Sequence, residues 1–204
     1  MSSGQEIRSF KGDHGRIVKS FSSDGKLVLS GDYNDSIMKL WNISNGQEIP
    51  SFQRHSNDVR AVAFSPDNKL IISGGKFNTM KLWNALSGEE IYSFQMYVHS
   101  PIRYSSTIND IAFSPNSKLV LSGGDDDSCR LWSVKTGKEI AQFFSFKNGE
   151  SVSITPEGYY IASSPKAEQR IKVRIGKQVH DIDKYRSEFN KPEKIRSTLQ
   201  SFLK

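Results

Sequence analysis

Apolar and polar residues alternate in short runs along most of the chain, and turn residues separate the runs. In residues 59–64, Val59 and the two alanines would face one side of a strand, with Val62 and Phe64 on the other. The run ends at residues 65–69, Ser-Pro-Asp-Asn-Lys, where proline presets φ and aspartate can bond to the turn backbone. A period of two favours β-strands, so the pattern predicts a chain built largely from short strands.

One phrase, Ser-Gly followed by a turn and a Leu-Trp pair, occurs three times and ends at Trp41, Trp83 and Trp132. A Phe-Ser pair precedes each copy, and a Gly-x-Glu-Ile phrase follows it. The tryptophans are 42 and then 49 residues apart. A repeat of about 40–45 residues with several strands per unit is typical of a propeller blade.

These repeats resemble WD40 repeats, the four-stranded blades of β-propellers. The Trp-Asp pair that usually ends such a unit reads Trp-Asn, Trp-Asn and Trp-Ser here. The resemblance covers roughly residues 4–145 and implies an all-β, WD40-type β-propeller with three clear blades and a degenerate fourth. A short C-terminal amphipathic helix is also predicted over residues 192–203, because Pro192 suits a first helical position and apolar residues spaced from Ile195 share one face.

The repeat sets the predicted boundaries. Residues 4–10 match the phrase that forms the outer strand of later blades, so they are predicted to belong to a split blade. Either a C-terminal segment supplies the rest of that blade and closes the ring, or the chain is part of a longer propeller. The predicted units are residues 1–12 (outer strand of a split blade), 13–53, 54–95 and 96–144 (blades 1 to 3), 145–180 (degenerate fourth blade) and 181–204 (basic helical tail).

In WD40 blades a His, a Ser or Thr, an Asp and the Trp commonly form a hydrogen-bonded tetrad. By resemblance, the tetrad residues are His14, Ser30, Asp35 and Trp41 in blade 1, His55, Ser73 and Trp83 in blade 2, and His99, Ser122, Asp126 and Trp132 in blade 3. Blade 2 has Phe77 at the Asp position. Because buried indole and imidazole groups need partners and the set recurs in every repeat, its role is predicted to be structural rather than catalytic. We therefore expect no enzymatic activity.

No cofactor or metal site is expected either. Cys129 aligns with Ile37 and Met80, so it is predicted to be an inward-facing core residue rather than a nucleophile. The four histidines lack metal-ligand spacing. The Asp-Asp-Asp run at residues 125–127 could hold a cation, but a solvated turn is the favoured interpretation because the neighbouring copies hold no supporting carboxylate there.

The main functional candidate is an insertion at residues 96–106, which joins the outer strand of one predicted blade to the inner strand of the next. By resemblance, this loop lies on the face where WD40 proteins often bind partners. Tyrosine and arginine are enriched at interface hot spots, although a merely tolerated insertion is an open alternative. The candidate partner-binding residues are Tyr97, Arg103 and Tyr104 in the loop, with Arg60 and Tyr33 bordering the same face.

Charge and cysteine content narrow the class of protein. The net charge is +6, and residues 166–204 hold eleven Lys or Arg against five Asp or Glu, so the tail carries the whole excess. Interleaved acids and the lack of a nucleic-acid motif favour a solvated surface over a nucleic-acid site. A single cysteine, no apolar run of membrane-spanning length and no visible secretory signal predict a cytoplasmic protein without a membrane partner.

These features together predict a non-enzymatic protein–protein interaction scaffold that presents a propeller face and loops to a protein or peptide. Self-association to complete a propeller is a further possibility. Residues 151–163 resemble segments that end WD40 arrays in bacterial multidomain proteins, some of which carry a caspase-like peptidase domain. The alternative is therefore a regulatory or sensor fragment of a larger bacterial signalling protein, and a weaker one is nucleic-acid binding through the basic tail.

Overall fold

Each repeat forms an antiparallel sheet in which the strands pair in chain order. The computed structural model describes residues 17–33, 36–49, 55–94, 107–175 and 178–202. The first sheet contains Ile17–Phe21 (β1), Leu27–Asp32 (β2), Met38–Asn42 (β3) and Glu48–Ile49 (β4). The second contains Val59–Phe64 (β5), Leu70–Gly75 (β6), Met80–Asn84 (β7) and Glu90–Ser93 (β8). The third begins with Ile108–Phe113 (β9), Leu119–Gly124 (β10), Ser128–Ser133 (β11) and Glu139–Ser145 (β12).

The turn between the first two strands of each repeat is closed by side chains that the sequence places at fixed offsets. Ser65 Oγ donates to Asp67 Oδ1 at 2.6 Å and accepts from the Leu70 N–H at 2.9 Å. The same arrangement occurs with Ser22 and Asp24 in the first repeat and with Ser114 and Asn116 in the third. The Phe-Ser pairs therefore mark the ends of the inner strands, as the alternation predicted.

Sheets stack by fitting a ridge of one into a groove of the sheet before it. The ridge is a cross-strand row of Phe, an aliphatic residue and Trp on one face: Phe21, Val28 and Trp41; Phe64, Ile71 and Trp83; Phe113, Val120 and Trp132. The groove is a set of four residues on the opposite face: Leu29, Gly31, Met38 and Leu40; Ile72, Gly74, Met80 and Leu82; Leu121, Gly123, Cys129 and Leu131.

Both described junctions use this packing. The second ridge lies in the first groove, and the third ridge lies in the second groove. Trp83 and Trp132 are both 0% exposed as a result. Fully burying a large apolar side chain stabilises a fold by about 1.5–3 kcal/mol, so these two junctions form the main core of the molecule.

The strands predicted for the fourth unit exist, but they do not form a separate four-stranded sheet. Ser151–Ile154 (β13) pairs with β12, and Tyr160–Ala162 (β14) pairs with β13, so both extend the third sheet at its outer edge. The reason is the tight connection at residues 146–149, in which the Phe146 N–H donates to the Glu150 carbonyl and forces a hairpin. Lys172–Ile175 (β15) and Gln178–Asp181 (β16) form their own two-stranded sheet.

Helical segments complete the C-terminal part. They are Pro165–Glu168 (α1), a 3-10 turn at Ile182–Tyr185, Arg186–Phe189 (α2) and Pro192–Ser201 (α3). The last of these confirms the predicted C-terminal helix. Leu199 of α3 and Phe202 just beyond it pack against a cluster on the third sheet formed by Leu119 of β10 with Ile140 and Ala141 of β12. No helix among the described residues is long and apolar enough to cross a membrane.

The prediction that Cys129 is a core residue is wrong, because its side chain is exposed. Cys129 pairs with Gly123 as Met38 pairs with Gly31 and Met80 with Gly74, so its counterpart in the first repeat is Met38 rather than Ile37. The two methionines are buried because the next sheet packs over them, and among the described residues no sheet packs on the corresponding face of the third. Residues 4–10, predicted to close a split blade, lie outside the described residues.

A buried carboxylate ties the C-terminal segments together. Glu168 accepts hydrogen bonds from Tyr160 and from Arg186 Nε, the latter at 3.0 Å. Arg186 Nη2 lies 2.7 Å from the second Glu168 oxygen. Burial acts to raise the pKa of Glu168, but the hydrogen bonds from Arg186 and Tyr160 outweigh it and lower the pKa below its ordinary value. The tail is thus fixed to β14 by a charged cluster as well as by α3.

The Glu168→Gln variant is expected to lose about 1–3 kcal/mol of unfolding free energy at neutral pH, because a buried charged hydrogen-bonding group is lost. A lowered carboxyl pKa stabilises the fold above the unfolded-state pKa of about 4.3, and this stabilisation disappears as the pH falls through the folded value. Urea titrations from pH 7 to pH 3 should therefore show the two proteins converging at the acidic end. Glu193→Gln, on the exposed face of α3, is the matched control, and an equal loss in both variants would contradict the account.

Candidate functional site

One end of the stack gathers the features expected of a binding face. The inner strands begin there, because Val59 pairs with Gly75 at the end of β6 and Ile108 pairs with Gly124 at the end of β10. The turns that follow β2, β6 and β10 therefore lie at the same end. A β-bridge between Lys76 and Thr107 joins the second and third repeats there. We call this end the turn face; its described residues are Tyr33, 58–60, 76–79, 107–109 and 125–127.

Two of the predicted partner-binding residues meet on the turn face. Tyr33 lies in the turn after β2, and Arg60 lies in β5 at a register shift. The Arg60 guanidinium carbon lies 4.4 Å from the centroid of the Tyr33 ring, a cation–π contact between two repeats. Within the described residues Arg60 has no carboxylate partner, and its buried Nε has no hydrogen-bond partner. The contact therefore holds the Arg60 charge in place, and no carboxylate among the described residues neutralises it.

Beside this pair, the second repeat presents an exposed aromatic residue that sequence reasoning treated only as a departure from the tetrad. Phe77 is 52% exposed and has a φ of 57°, followed by Asn78 with a φ of 53°. Two consecutive positive φ values match a type I′ turn, which favours Asn and Gly. A phenylalanine in the left-handed region costs roughly 1–2 kcal/mol. A turn that keeps an apolar ring in solvent at such a cost is a functional candidate.

Charges next to Phe77 are paired within the chain. Lys76 Nζ lies 2.5 Å from Asp58 Oδ2, and the Lys76 N–H donates to the Asp58 carbonyl at 3.3 Å. In the third repeat, Asn109 donates to Asp125. Lys76 and Asp58 thus form an ion pair on the turn face, whereas Arg60 has no carboxylate partner among the described residues.

Asp126 makes contacts other than those of the predicted tetrad. Its carboxylate accepts from Ser128 Oγ at 2.8 Å and from Arg130 Nη2 at 2.8 Å, while Arg130 also pairs with Glu139 at 3.0 Å. Burial acts to raise the pKa of Asp126, but the hydrogen bonds from Arg130 and Ser128 outweigh it and lower the pKa. Its described role is to neutralise a buried arginine, and no described hydrogen bond joins it to Ser122 or Trp132.

The Trp–Ser part of the tetrads is present in all three repeats. The indole Nε1 donates to the serine Oγ at 3.0 Å for Trp41–Ser30, 2.8 Å for Trp83–Ser73 and 2.9 Å for Trp132–Ser122. In each sheet, this bond joins the third strand to the second strand, so it stabilises the sheet internally. Among the described residues, no histidine hydrogen-bonds to any of the three serines.

His55 is the one predicted tetrad histidine among the described residues. It is 2% exposed, its ring centroid lies 6.4 Å from that of Trp83, and its Nδ1 lies 3.0 Å from the Asn57 carbonyl. Burial lowers the pKa of His55 to about 4. The imidazole is therefore neutral at neutral pH and packs as part of the core.

Six sequence-predicted residues lie outside the described residues, so their positions stay predictions. They are His14, Asp35 and His99 of the tetrads and Tyr97, Arg103 and Tyr104 of the loop. The described ends of that loop, at residue 94 and at residue 107, lie on either side of the junction between the second and third repeats.

Comparison with known proteins identifies the repeats. A family model described as "WD domain, G-beta repeat" matches residues 4–42, 46–84 and 92–133. Similar solved structures include "Structure of U3-55K", with a TM-score of 0.59, 20% identity and coverage of 76% of this chain and 54% of that one. "Crystal structure of RRP9 WD40 repeats" gives the same score and identity, with 76% and 53% coverage. The chain thus spans about half the length of these structures. No curated protein matches the sequence.

Ser122→Ala should destabilise the fold more than Ser30→Ala. Removing Ser122 Oγ leaves the indole N–H of the fully buried Trp132 without a partner, which costs about 1–3 kcal/mol. Trp41 is only half-buried, so water can replace Ser30 Oγ at lower cost. Paired thermal and urea denaturation measures the difference, and equal losses in the two variants would contradict the structural role of the buried bond.

The low pKa of His55 predicts a specific pH dependence of stability. As the pH falls below about 6.5, the His55 imidazole becomes protonated in the unfolded chain but stays neutral in the folded chain. The contribution of His55 should therefore lower stability between pH 6.5 and about 4, by an amount on the order of 3 kcal/mol, and should stay constant below pH 4, where the carboxylates add their own losses. His55→Phe should flatten this part of the profile. A wild-type profile without this slope would refute the burial of a neutral His55.

Proposed function

The chain belongs to the WD40 family, and from this premise we propose that it is a non-enzymatic interaction scaffold whose turn face binds a protein or peptide. The observation that carries the proposal is the Tyr33–Arg60 pair, in which a cation is held against an aromatic ring and has no carboxylate partner among the described residues. Arginine and tyrosine are residue types that dominate interface energetics. An ordered arginine also loses less side-chain freedom when it binds, which favours affinity.

The turn face indicates the chemistry of the partner. Arg60 suits a carboxylate, because its guanidinium can donate two parallel hydrogen bonds to one. Phe77, 52% exposed on a strained turn, suits an apolar side chain. A segment of the partner that carries an acidic residue close to an apolar one would satisfy both. Asp58 and Lys76 are already paired, so they are proposed to border the contact rather than to supply its energy.

The loop at residues 96–106 is proposed to extend this face. It joins the outer strand of the second sheet to the inner strand of the third, and β9 begins on the turn face at Ile108. Tyr97, Arg103 and Tyr104 would add further aromatic and cationic contacts beside Arg60. Their contribution is a proposal based on the loop's chain position and residue types.

The basic tail supports a scaffold better than a nucleic-acid site. Lys172 pairs with Asp181, and Arg186 pairs with both Glu168 and Asp183. Lys194 donates to the Tyr159 hydroxyl at 2.7 Å. Several of the tail's cations are therefore engaged by the tail itself or by the third sheet, which leaves fewer of them to replace counterions on a phosphate backbone.

Selection from a random peptide-display library tests the proposal without knowledge of the natural partner. The selected peptides should combine Asp or Glu with a nearby apolar residue. Arg60→Ala should weaken their binding by about tenfold or more, and Arg60→Lys should weaken it in part because lysine lacks the planar fork. Phe77→Asn should weaken binding while it stabilises the fold slightly, since asparagine is better suited to a left-handed turn.

Arg196→Ala, on an exposed position of α3, is the matched control and should bind like the wild type. Selected peptides without acidic residues, or equal affinity for wild type and the Arg60→Ala variant at unchanged melting temperature, would contradict the proposed binding face.

A further inference from the structure

The inner strands of the second and third repeats begin on the turn face with the same irregularity. In β5, Val59 and Ala61 pair with consecutive residues of β6, which leaves Arg60 as an extra residue without a register partner. The register of β9 shifts in the same way around Asn109. A β-bulge re-aims a side chain and is common beside functional sites. The two bulges therefore place Arg60 and Asn109 at equivalent positions in adjacent repeats.

A second position on the turn face is also shared by the two repeats. The Lys76 N–H donates to the Asp58 carbonyl at 3.3 Å, and the Asp125 N–H donates to the Thr107 carbonyl at 3.0 Å. Lys76 and Asp125 are therefore equivalent residues. The position that carries a positive charge in the second repeat carries a negative charge in the third.

The charge of Asp125 is oriented by the chain but is not cancelled by it. In the second repeat the acid Asp58 pairs with the cation at this position, whereas the corresponding residue in the third repeat is the uncharged Thr107. Asn109 Nδ2 donates to the Asp125 carboxylate, and because an amide is neutral, this bond fixes the direction of the carboxylate only. In the part of the chain that the structure describes, no lysine or arginine forms an ion pair with Asp125.

The two aspartates that follow Asp125 have other roles. Asp126 forms an ion pair at 2.8 Å with the buried Arg130. Asp127 occupies a left-handed turn position with a φ of 56°. Among the described residues, neither accepts a hydrogen bond from the inner strand. Asp125 is therefore the acid that the third repeat holds in a fixed direction on this face.

The turn that bears Phe77 lies between the two charges. It begins at Lys76, whose N–H donates to the residue before β5 and which also forms a β-bridge with the residue before β9. Asn78 lines a small cleft together with the turn of the third repeat. The exposed aromatic turn is thus flanked by Arg60 on one side and by Asp125 on the other.

We propose that the turn face selects a partner segment in which an acidic, an apolar and a basic residue follow one another in this spatial order. The inference rests on the proposed function of this face, in which a carboxylate contacts Arg60 and an apolar side chain contacts Phe77. The new element is a lysine or arginine of the partner that contacts Asp125. Asn109 is a positioning residue, because it acts by holding that carboxylate.

Opposite charges at its two ends give the face a direction. A segment bound in reverse would bring its cation to Arg60 and its carboxylate to Asp125. Complementary charges fix the register of an interface, and like charges in contact exclude the wrong partner or orientation. The pair of charges therefore determines which way the segment runs, which the Arg60 contact alone does not.

The test uses a synthetic peptide from the display selection described above that contains an acidic, an apolar and a basic residue. Asp125→Lys gives the third repeat the charge of its equivalent, Lys76, and should weaken binding of this peptide by about tenfold. Replacing the basic residue of the peptide by glutamate should weaken binding to the wild type and restore binding to Asp125→Lys. Glu157→Lys, the same charge change on an exposed turn at the opposite end of the third sheet, is the control and should bind like the wild type.

The role of Asn109 is tested in the same double-mutant cycle, which isolates the coupling between two groups. Asn109→Ala should reduce the preference for the basic peptide over its glutamate version by about two- to fivefold at unchanged melting temperature. Asn109→Gln keeps the amide donor and should retain part of that preference. If Asp125→Lys does not fold, Asp125→Asn removes the charge with little change of shape and takes its place.

The outcomes separate this inference from the proposed function. Selected peptides that depend on Arg60 but carry no basic residue would overturn the inference and leave the proposed binding face intact. So would effects of the Asp125 and peptide substitutions that simply add, without rescue. Peptides that bind independently of Arg60 would overturn the proposed function, and this inference with it.

Discussion

The packing of a Phe–aliphatic–Trp ridge into the groove of the preceding sheet is the interaction on which the rest of this structure depends. A single four-stranded sheet cannot bury its own apolar face, so each repeat is stable only against a neighbour. The two described junctions bury Trp83 and Trp132 completely, and the serine that accepts each indole N–H removes the cost of burying that polar group. The stack is consequently assembled from pairwise contacts that repeat along the chain.

This constraint separates structural from functional residues. Ridge and groove residues are nearly the same in every repeat because they must fit one another. Turns at the end of each sheet carry no such requirement, and there the repeats differ: Tyr33 follows β2, Phe77 follows β6 and a run of aspartates follows β10. The sheets fix the positions of these turns, which is how a rigid stack can present Arg60 and Phe77 to a partner.

Local pattern was a good guide to local structure. Alternation, the Ser-x-Asp turns and the Leu-Trp pairs predicted strands that the structure confirms, and the spacing after Pro192 predicted α3. Properties that depend on a partner sheet were not predictable in the same way. Cys129 occupies the position of a buried methionine, yet it is exposed because no described sheet packs on that face. Likewise, the alternation at residues 151–163 predicted strands but did not predict which strand they pair with. The tight turn at residues 146–149 places β13 against β12. The resemblance predicted that Asp126 belongs to a tetrad with Trp132. In the structure, its carboxylate forms an ion pair with the buried Arg130, which lies two positions before Trp132 in the same strand.

Native-state hydrogen exchange tests the account most directly, because it measures the stability of each sheet separately. The second sheet has a neighbour on both faces, the third has one sheet and a helix, and the first has one described neighbour. Amides of β6 and β7 should therefore exchange most slowly, those of β10 and β11 faster, and those of β2 and β3 fastest. Exchange that is equally slow in all three sheets, or slowest in the first, would contradict the claim that ridge-in-groove packing stabilises the molecule.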